Sequence, residues 1–293
     1  MINFFSSRTS AIAVLLTFVL VWEGCKSRSS DQNSIQIKGS DTMVNLGQAW
    51  AEEFMKTHQG YSVAVTGGGS GTGISSLINN TCDIAEVSRE MKDSEIKLAE
   101  GKGIKPFKIV VALDGLAAVV NPSNPVSHLT MEQLADMFAG RVTNWSEVGG
   151  PNKKIVLLSR EVNSGTHVYF KEHVLRKGNP QGKEEFAPHA LLLPSSQAIA
   201  DEVSHNLDAI GYYGMGYITA KEKPIKVAKA KGSPYVSPTP ENVVDNSYPI
   251  SRPLLMYTKG EPAGTVKTFV DFVLSPEGQQ QVKRLDFVPV TGH

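Results

Sequence analysis

The sequence lacks a net charge, because 29 Lys and Arg residues balance 29 Asp and Glu residues. It has only two cysteines, and its seven histidines show no His-Glu-x-x-His or Cys/His spacing of the kind that binds a metal. We therefore expect no broad basic surface for nucleic acid, no metal site and no cofactor. Any anion that the protein binds must be held by local geometry.

Long apolar runs are also missing, except for one near the N-terminus. The predominantly apolar run 11–22 is short for a membrane span; it follows Arg8 and precedes Gly24-Cys25. This pattern is typical of an export signal, which we predict over residues 1–24, with a polar tether over residues 25–33. Gly24-Cys25 is similar to the processing site of bacterial lipoproteins, although Trp22 and Glu23 depart from the residues usual there. The sequence thus predicts an exported, periplasmic or extracytoplasmic protein with a lipid anchor on Cys25.

The second cysteine, Cys82, lies in the predicted folded part. A disulfide with Cys25 is conceivable in an oxidising compartment, but a cysteine on a polar tether is a poor structural partner. We predict that Cys82 is a small buried thiol.

A glycine-rich stretch, Gly67–Gly73, follows the strand-like run Tyr61–Thr66 and precedes a helical pattern over Ile74–Asn79. A strand, a glycine turn and a helix start point several backbone N–H groups at one spot, which attracts an oxyanion. A flexible surface loop is the alternative interpretation. A P-loop is excluded because no Lys follows Gly73, and the spacing of a dinucleotide fingerprint or a nucleophile elbow does not fit either.

A second turn repeats the first. Ser164-Gly165-Thr166 has the same residues as Ser70-Gly71-Thr72, and it lies between an apolar strand (Ile155–Leu158) and a helical run (His167–Leu175). Two such turns, about ninety residues apart, would suit two lobes that close on one small ion.

Arginines and a third turn lie beside these two turns. Arg89 and Arg160 each end a predicted strand, where a guanidinium can bind an anion bidentately. Asp114-Gly115 interrupts two predicted strands, so Asp114 is either a turn residue or a buried partner of Arg89. Glu161 either orients Arg160 or is simply exposed. Residues 40–42 precede a helix with apolar residues at Met43, Leu46, Trp50 and Phe54, and they are either its caps or ligand-binding groups.

Taken together, several motifs resemble one known family. They are Gly39-Ser40-Asp41-Thr42-Met43, Gly69-Ser70-Gly71-Thr72-Gly73, Ser88-Arg89, Asn144-Trp145, Arg160-Glu161-x-x-Ser164-Gly165-Thr166 and Ala209-Ile210-Gly211-Tyr212. In this order they resemble the phosphate-binding proteins of the bacterial high-affinity phosphate ABC importers. The resemblance implies a type II periplasmic-binding-protein fold, in which two α/β lobes are joined by two hinge strands with the ligand in the cleft between them. We place lobe 1 at residues 34–117 plus 252–293 and lobe 2 at residues 118–251.

The resemblance also implies the function and the binding residues. The function is capture of inorganic phosphate by a monomer that is not an enzyme and that delivers it to the transmembrane subunits of a permease. Thr42, the Met43 backbone, Ser70, Arg160 and Ser164-Gly165-Thr166 match the family's phosphate contacts. The complete predicted site is Ser40, Asp41, Thr42, Met43, Gly69, Ser70, Gly71, Thr72, Ser88, Arg89, Asp114, Arg160, Ser164, Gly165 and Thr166.

Two positions depart from the family pattern. Arg89 stands where well-known members have an aspartate that accepts the phosphate proton, and Val162 stands where an acid commonly steadies the arginine. We expect Asp41 or Asp114 to supply the proton acceptor. Two alternative functions remain open: binding of another tetrahedral oxyanion (sulfate, tungstate or molybdate), and phosphoryl transfer with Ser70 or Ser164 as the nucleophile.

Overall fold

The computed structural model of the chain describes Met1 and residues 33–290. The predicted signal peptide, nearly all of the predicted tether and the predicted lipidation of Cys25 lie outside the described residues. Within the described part, no helix is long and apolar enough to cross a membrane.

Strands and helices alternate along residues 33–290. The strands are β1 (Ser34–Gly39), β2 (Ser62–Thr66), β3 (Ile84–Val87), β4 (Phe107–Val120), β5 (His128–Thr130), β6 (Val156–Arg160), β7 (Leu191–Leu193), β8 (Ala209–Gly214), β9 (Lys223–Pro224), β10 (Lys226–Ala228) and β11 (Ser251–Thr258). The helices are α1 (Val44–Thr57), α2 (Ser70–Ile78), α3 (Asp93–Gly101), α4 (Met131–Phe138), α5 (Gly165–Phe170), α6 (Ser196–His205), α7 (Pro240–Val244), α8 (Gly264–Leu274) and α9 (Pro276–Arg284). A π-helical turn, Lys171–Leu175, continues α5, and short 3-10 turns lie at Trp145–Val148 and Met215–Tyr217.

One sheet runs through the described chain in the order β2-β1-β3-β11-β4-β8-β6-β7, and β9 pairs with β4 beside this path. Strands β1, β2 and β3 are parallel, and so are β6, β7 and β8. Strand β11 is antiparallel to both of its neighbours, β3 and β4. Strand β4 pairs with β11 through its first half and with β8 through its second half. The two parallel groups are therefore connected by β4 and β11.

Each parallel group has its own cores. Around β1–β3, helices α1, α8 and α9 contribute to one core and α2 and α3 to another. Around β6–β8, one core contains the aromatic side chains of Phe138, Trp145 and Tyr212, and a second contains Ile199 of α6. The buried residues of β4 up to Ala112 belong to a core of the first group, and those from Leu116 onward belong to the cores of the second group. The exact lobe boundaries at 117/118 and 251/252 stay a prediction.

Most predicted elements are confirmed. The apolar positions predicted to line the first helix, Met43, Leu46, Trp50 and Phe54, are buried, and so is Trp145. Cys82 is a buried free thiol, as predicted, and burial raises its pKa to about 11.

Four details of the predicted elements are wrong. Asp114 lies inside the single strand β4 rather than in a turn between two strands, because it pairs across the ladder with Arg252. The segment 236–249 is rich in Pro, Ser and Asn, which predicts a long loop, but it contains the short helix α7. Helix α2 begins at Ser70 rather than at Ile74. Met43, not one of the polar residues 40–42, occupies the N-cap of α1, and no side chain caps that helix.

Candidate functional site

Loops that follow β1, β2, β3 and β6 meet at one place. Strand β1 leads to Ser40, β2 to Ser70, β3 to Ser88 and β6 to Ser164. In open α/β sheets, ligands bind in the crevice outside the carboxyl ends of the strands. The four serines, from both halves of the chain, therefore lie at the carboxyl ends of the strands, where ligands bind in sheets of this kind.

Three serine hydroxyls from the first half of the chain are linked through Ser88. The Ser40 Oγ donates to the Ser88 Oγ at 3.0 Å, and the Ser70 Oγ lies 3.3 Å from the same oxygen. The backbone N–H of Ser88 donates to the Ser70 Oγ at 3.0 Å. All three residues are buried. The hydrogen bonds among them therefore hold the three hydroxyls in place.

Gly165, from the second half of the chain, packs directly on these serines. A Cβ at Gly165 would lie 2.3 Å from the Ser70 Oγ and 2.6 Å from the Ser88 Oγ. Any side chain at this position would therefore collide with the serine hydroxyls. The two Ser-Gly-Thr turns, predicted from sequence to share one crevice, do contact each other.

A threonine pair connects the two halves beside the serines. The Thr42 Oγ1 and the Thr166 Oγ1 are 2.8 Å apart, and both side chains are buried. The Arg252 Nη2 donates to the Thr166 Oγ1 at 3.0 Å and reaches the Thr42 Oγ1 at 3.5 Å. We call Ser40, Thr42, Ser70, Ser88 and Thr166 the hydroxyl cluster.

Arg252 is the buried cation of the cluster, and the sequence analysis missed it. Its Nη1 donates to the Ser88 carbonyl at 3.0 Å, and its Nε and Nη2 donate to the Asp114 Oδ2 at 3.0 and 2.9 Å. Asp114 also accepts the Met215 N–H at 3.1 Å. The only signal in the sequence was a charged residue at the head of the apolar strand β11.

Asp114 is therefore the partner of Arg252 and not, as predicted, of Arg89. Both Asp114 and Arg252 are fully shielded from solvent. Burial raises the pKa of the Asp114 carboxyl, and the Arg252 guanidinium opposes that rise. Arg252 thus supplies hydrogen-bond donors to the cluster, and Asp114 holds its guanidinium in place.

Arg160 lies beside the cluster and pairs with Asp41 rather than with Glu161. Its Nη2 donates to the Asp41 Oδ2 at 2.7 Å, and its remaining hydrogen bonds go to Leu193, Pro194 and Ser196. Glu161 is exposed, which was the second of the two sequence interpretations of this residue. Burial lowers the pKa of Arg160, and Asp41 acts in the opposite direction. Asp41 substitutes for the acid that Val162 replaces, but it comes from the other half of the chain.

Ser164 serves as the N-cap of α5. Its Oγ accepts from the N–H groups of Thr166 at 3.2 Å and His167 at 3.5 Å. The hydroxyl thus satisfies helix N–H groups that lack intrahelical partners.

The glycine-rich stretch reaches across the crevice with its backbone. The Gly71 N–H donates to the carbonyl of Asn163 at 2.9 Å, and a Cβ at Gly69 would lie 2.8 Å from that carbonyl oxygen. The exposed Thr72 hydroxyl donates to the Gly68 carbonyl at 2.6 Å within its own loop. The structure therefore brings Gly69 and Gly71 to the seam between the halves, but it does not bring the Thr72 hydroxyl into the cluster.

Arg89 and Met43 have other partners. Nη1 and Nη2 of Arg89 donate to the two carboxylate oxygens of Glu95, each at 2.8 Å. The guanidinium therefore clamps α3, and the structure does not bring it to the hydroxyls. The Met43 N–H donates to the Ser40 carbonyl at 3.0 Å, while the Met43 side chain lies in the core.

This arrangement suits a small oxyanion. Hydroxyls can rotate to donate, and guanidinium N–H groups form strong charge-assisted bonds to anionic oxygens. Among the described residues, no group of three His, Cys, Asp or Glu side chains is placed to hold a metal ion.

The sequence of this chain is similar to a family model and to proteins named for phosphate binding. Residues 26–277 match a family model described as "PBP superfamily domain". The "Phosphate-binding protein PstS" of Pseudomonas aeruginosa is 33% identical over 298 aligned residues, which cover 96% of this chain and 90% of that protein. The protein of the same name from Bacillus subtilis is 31% identical and covers 92% of this chain and 85% of its own length.

The fold of this chain is also similar to solved structures of proteins named for phosphate transport. A phosphate ABC transporter substrate-binding protein with bound phosphate from Clostridium perfringens has a TM-score of 0.79 and 34% identity, covering 88% of this chain and 100% of its own. An ABC-type phosphate transport receptor from Vibrio cholerae has a TM-score of 0.69 and 32% identity, with 87% and 99% covered. The fold is thus the type II periplasmic-binding-protein fold, as predicted. The chain belongs to the PBP superfamily and, within it, to the family of PstS-type phosphate-binding proteins.

Proposed function

We propose that the protein captures inorganic phosphate between its two lobes and delivers it to the transmembrane subunits of an ABC permease. The hydroxyl cluster with Arg252 carries this proposal, because the two halves of the chain bring its donors together in one buried place. The relatives and solved structures named for phosphate binding support the same ligand. Lobes of residues 34–117 plus 252–293 and of residues 118–251, acting as a monomer, would close on the ion.

Titration calorimetry across four anions tests the ligand. We expect phosphate to bind with sub-micromolar affinity, and sulfate, tungstate and molybdate to bind much more weakly. A preference for one of the other three anions would replace the proposed substrate while keeping the class of protein.

The proton acceptor that distinguishes phosphate from sulfate is the next part of the proposal. At neutral pH phosphate carries a proton and sulfate does not, so a buried carboxylate would be left unpaired against sulfate. A site built this way can discriminate by about 10^4-fold. We propose Asp114 for this role, with Asp41 as the alternative, because Asp114 is fully buried and contacts the arginine that reaches both threonines.

Two substitutions separate these acceptors. Asp114→Asn is expected to reduce the ratio of phosphate to sulfate affinity, and Asp41→Asn to leave that ratio unchanged. The reverse result would assign the role to Asp41, and an unchanged ratio in both variants would refute the proposal for either aspartate.

Binding rather than catalysis is the proposed activity. The alternative is a phosphoryl-transfer enzyme with Ser70 or Ser164 as the nucleophile. The Ser164 Oγ already accepts two helix N–H groups, and the Ser70 Oγ accepts the Ser88 N–H. A chromogenic phosphate ester would be turned over only by the enzyme, so steady release of the chromophore would favour the alternative.

We also propose that the protein acts outside the cytoplasmic membrane, attached by a lipid on Cys25. In cells, Cys25→Ser is expected to move the protein from the membrane fraction to the soluble fraction. Mass spectrometry of the mature N-terminus would detect the lipid, and an unmodified Cys25 would contradict this part of the proposal.

A further inference from the structure

Asn163 makes a separate contact between the halves of the chain, outside the hydroxyl cluster. It lies in the turn that connects β6 to α5, and it is exposed, whereas the neighbouring Ser164 is buried. Its Nδ2 donates to the Gly68 carbonyl at 2.8 Å, and its own carbonyl accepts the Gly71 N–H at 2.9 Å. One residue thus hydrogen-bonds the glycine-rich stretch at two points.

The glycine-rich stretch is shaped for this approach. A Cβ at Gly69 would lie 2.8 Å from the Asn163 carbonyl oxygen, and a Cβ at Gly71 would lie 3.2 Å from it. Gly69 has a φ of +87°, which also favours glycine. The absence of side chains therefore lets the two backbones come into contact over the buried Ser70.

Asp41 ties the same two turns together from the other side. Its Oδ1 accepts the Gly68 N–H at 2.9 Å, and its Oδ2 accepts the Arg160 Nη2 at 2.7 Å. Arg160 ends β6 and Asn163 lies in the turn that follows it, whereas Asp41 and Gly68 belong to two loops of the opposite half. We call Asp41, Gly68, Gly71, Arg160 and Asn163 the clasp.

We propose that Asn163 is a positioning residue that sets how long the bound anion stays in the closed protein. This inference rests on the proposed function. The bonds of Asn163 form only when the two halves approach each other, so losing them destabilises the closed form and leaves the first encounter with the anion unchanged. Affinity differences of this kind appear mainly in the dissociation rate.

The test measures both rate constants with radiolabelled inorganic phosphate. Release is followed during a chase with unlabelled phosphate, and association is followed by rapid mixing. Asn163→Ala removes one side-chain hydrogen bond, which predicts dissociation about 2- to 10-fold faster than in the wild type, with association unchanged. Gly71→Ala adds a Cβ against the Asn163 carbonyl and is expected to change the same rate in the same direction.

Asn152→Ala is the matched control, because Asn152 is an exposed asparagine whose Oδ1 accepts from Asn144 at 2.9 Å. It should leave both rates at the wild-type values. A dissociation rate in Asn163→Ala equal to that of the wild type would overturn the proposal, and so would an equal change in Asn152→Ala.

If the wild type binds no phosphate, the proposed function is refuted, but the clasp can still be tested by a second measurement. Hydrogen exchange of the Gly71 amide reports its bond to Asn163, and the Gly73 amide, which donates to Gly69 within its own turn, serves as the reference. We expect faster exchange at Gly71 in Asn163→Ala and no change at Gly73. Unchanged exchange at Gly71 would overturn the clasp.

Discussion

Two turns of this protein have the same tripeptide and use it differently. In Ser70-Gly71-Thr72, the serine is the first residue of α2 and its hydroxyl joins the cluster, while the threonine hydroxyl bonds back to its own loop. In Ser164-Gly165-Thr166, the serine caps α5 and the threonine hydroxyl joins the cluster.

A shift of one residue in the helix start explains the difference. Helix α2 begins at its serine, whereas α5 begins at the glycine after its serine. Because each residue turns a helix by about 100°, this shift changes which side chain faces the crevice. Identical tripeptides therefore do not make identical contacts. The residue at which the helix begins decides whether the serine or the threonine hydroxyl joins the cluster.

The largest predicted difference between the two turns lies at the residue that follows each tripeptide. Gly73 packs on β1, where a Cβ would lie 2.5 Å from the Lys38 carbonyl oxygen, whereas the equivalent His167 is buried, with its ring tilted 34° to that of Phe186. Burial, followed by the charge of Lys171, lowers the pKa of His167 from 6.5 to about 4. Between these values the unfolded chain binds more protons, so the free energy of unfolding falls as the pH decreases, by about 3 kcal/mol in total below pH 4.

His167→Gln should remove this part of the pH dependence. Urea unfolding from pH 7 to pH 4 measures it, and we expect a shallower decline in the variant. An equal decline in both proteins would show that other groups cause the acid sensitivity.

The two glycines give the next contrast. Gly165→Ala places a Cβ 2.3 Å from the Ser70 Oγ, whereas Gly71→Ala places one 3.2 Å from the Asn163 carbonyl oxygen. Overpacking costs about 1–3 kcal/mol, so phosphate affinity should fall about 10- to 100-fold in Gly165→Ala and by less than about 10-fold in Gly71→Ala. Calorimetry checks both, and equal losses would refute the one-residue shift as the explanation.

The threonines give a smaller contrast. Thr166→Val removes a buried partner of both Thr42 and Arg252, which predicts a loss of phosphate affinity of about 10-fold. Thr72→Val removes an exposed hydroxyl that bonds its own loop, and we expect an unchanged affinity. A larger loss in Thr72→Val than in Thr166→Val would reverse the assignment of the two turns.

The serines give the smallest predicted effect. Ser164→Ala removes the N-cap of α5 and should lower the free energy of unfolding by about 1 kcal/mol. Ser164→Thr keeps a capping hydroxyl and should recover most of that loss. Thermal or urea unfolding measures both, and equal destabilisation by Ala and Thr would argue against the capping role.

Much of the fold and part of the site could be predicted from the sequence. The alternation of strands and helices and the burial of Trp145 and Cys82 follow from local patterns. The repeated tripeptides predicted that the two turns would share one crevice, and Gly165 does pack on Ser70, because turns after strands collect at one edge of a sheet.

The partners of the charged residues could not be predicted in the same way. Arg89 has several acids near it in sequence, and the choice of Glu95 depends on the position of α3. Arg160 pairs with Asp41, which is 119 positions away, rather than with its neighbour Glu161. The first pairing depends on where α3 lies and the second on which loops of the two halves meet, and a local pattern contains neither piece of information.

The Asp114–Arg252 pair has a consequence for how the protein opens. The two residues face each other directly across the ladder of β4 and β11, the strands that connect the two halves. In the proposed function, a rotation about these strands would separate Thr166 from Thr42 and the serines, while Arg252 would stay near the axis. An arriving anion would thus meet a guanidinium that is already oriented by Asp114, and closure would bring Thr166 to that fixed position.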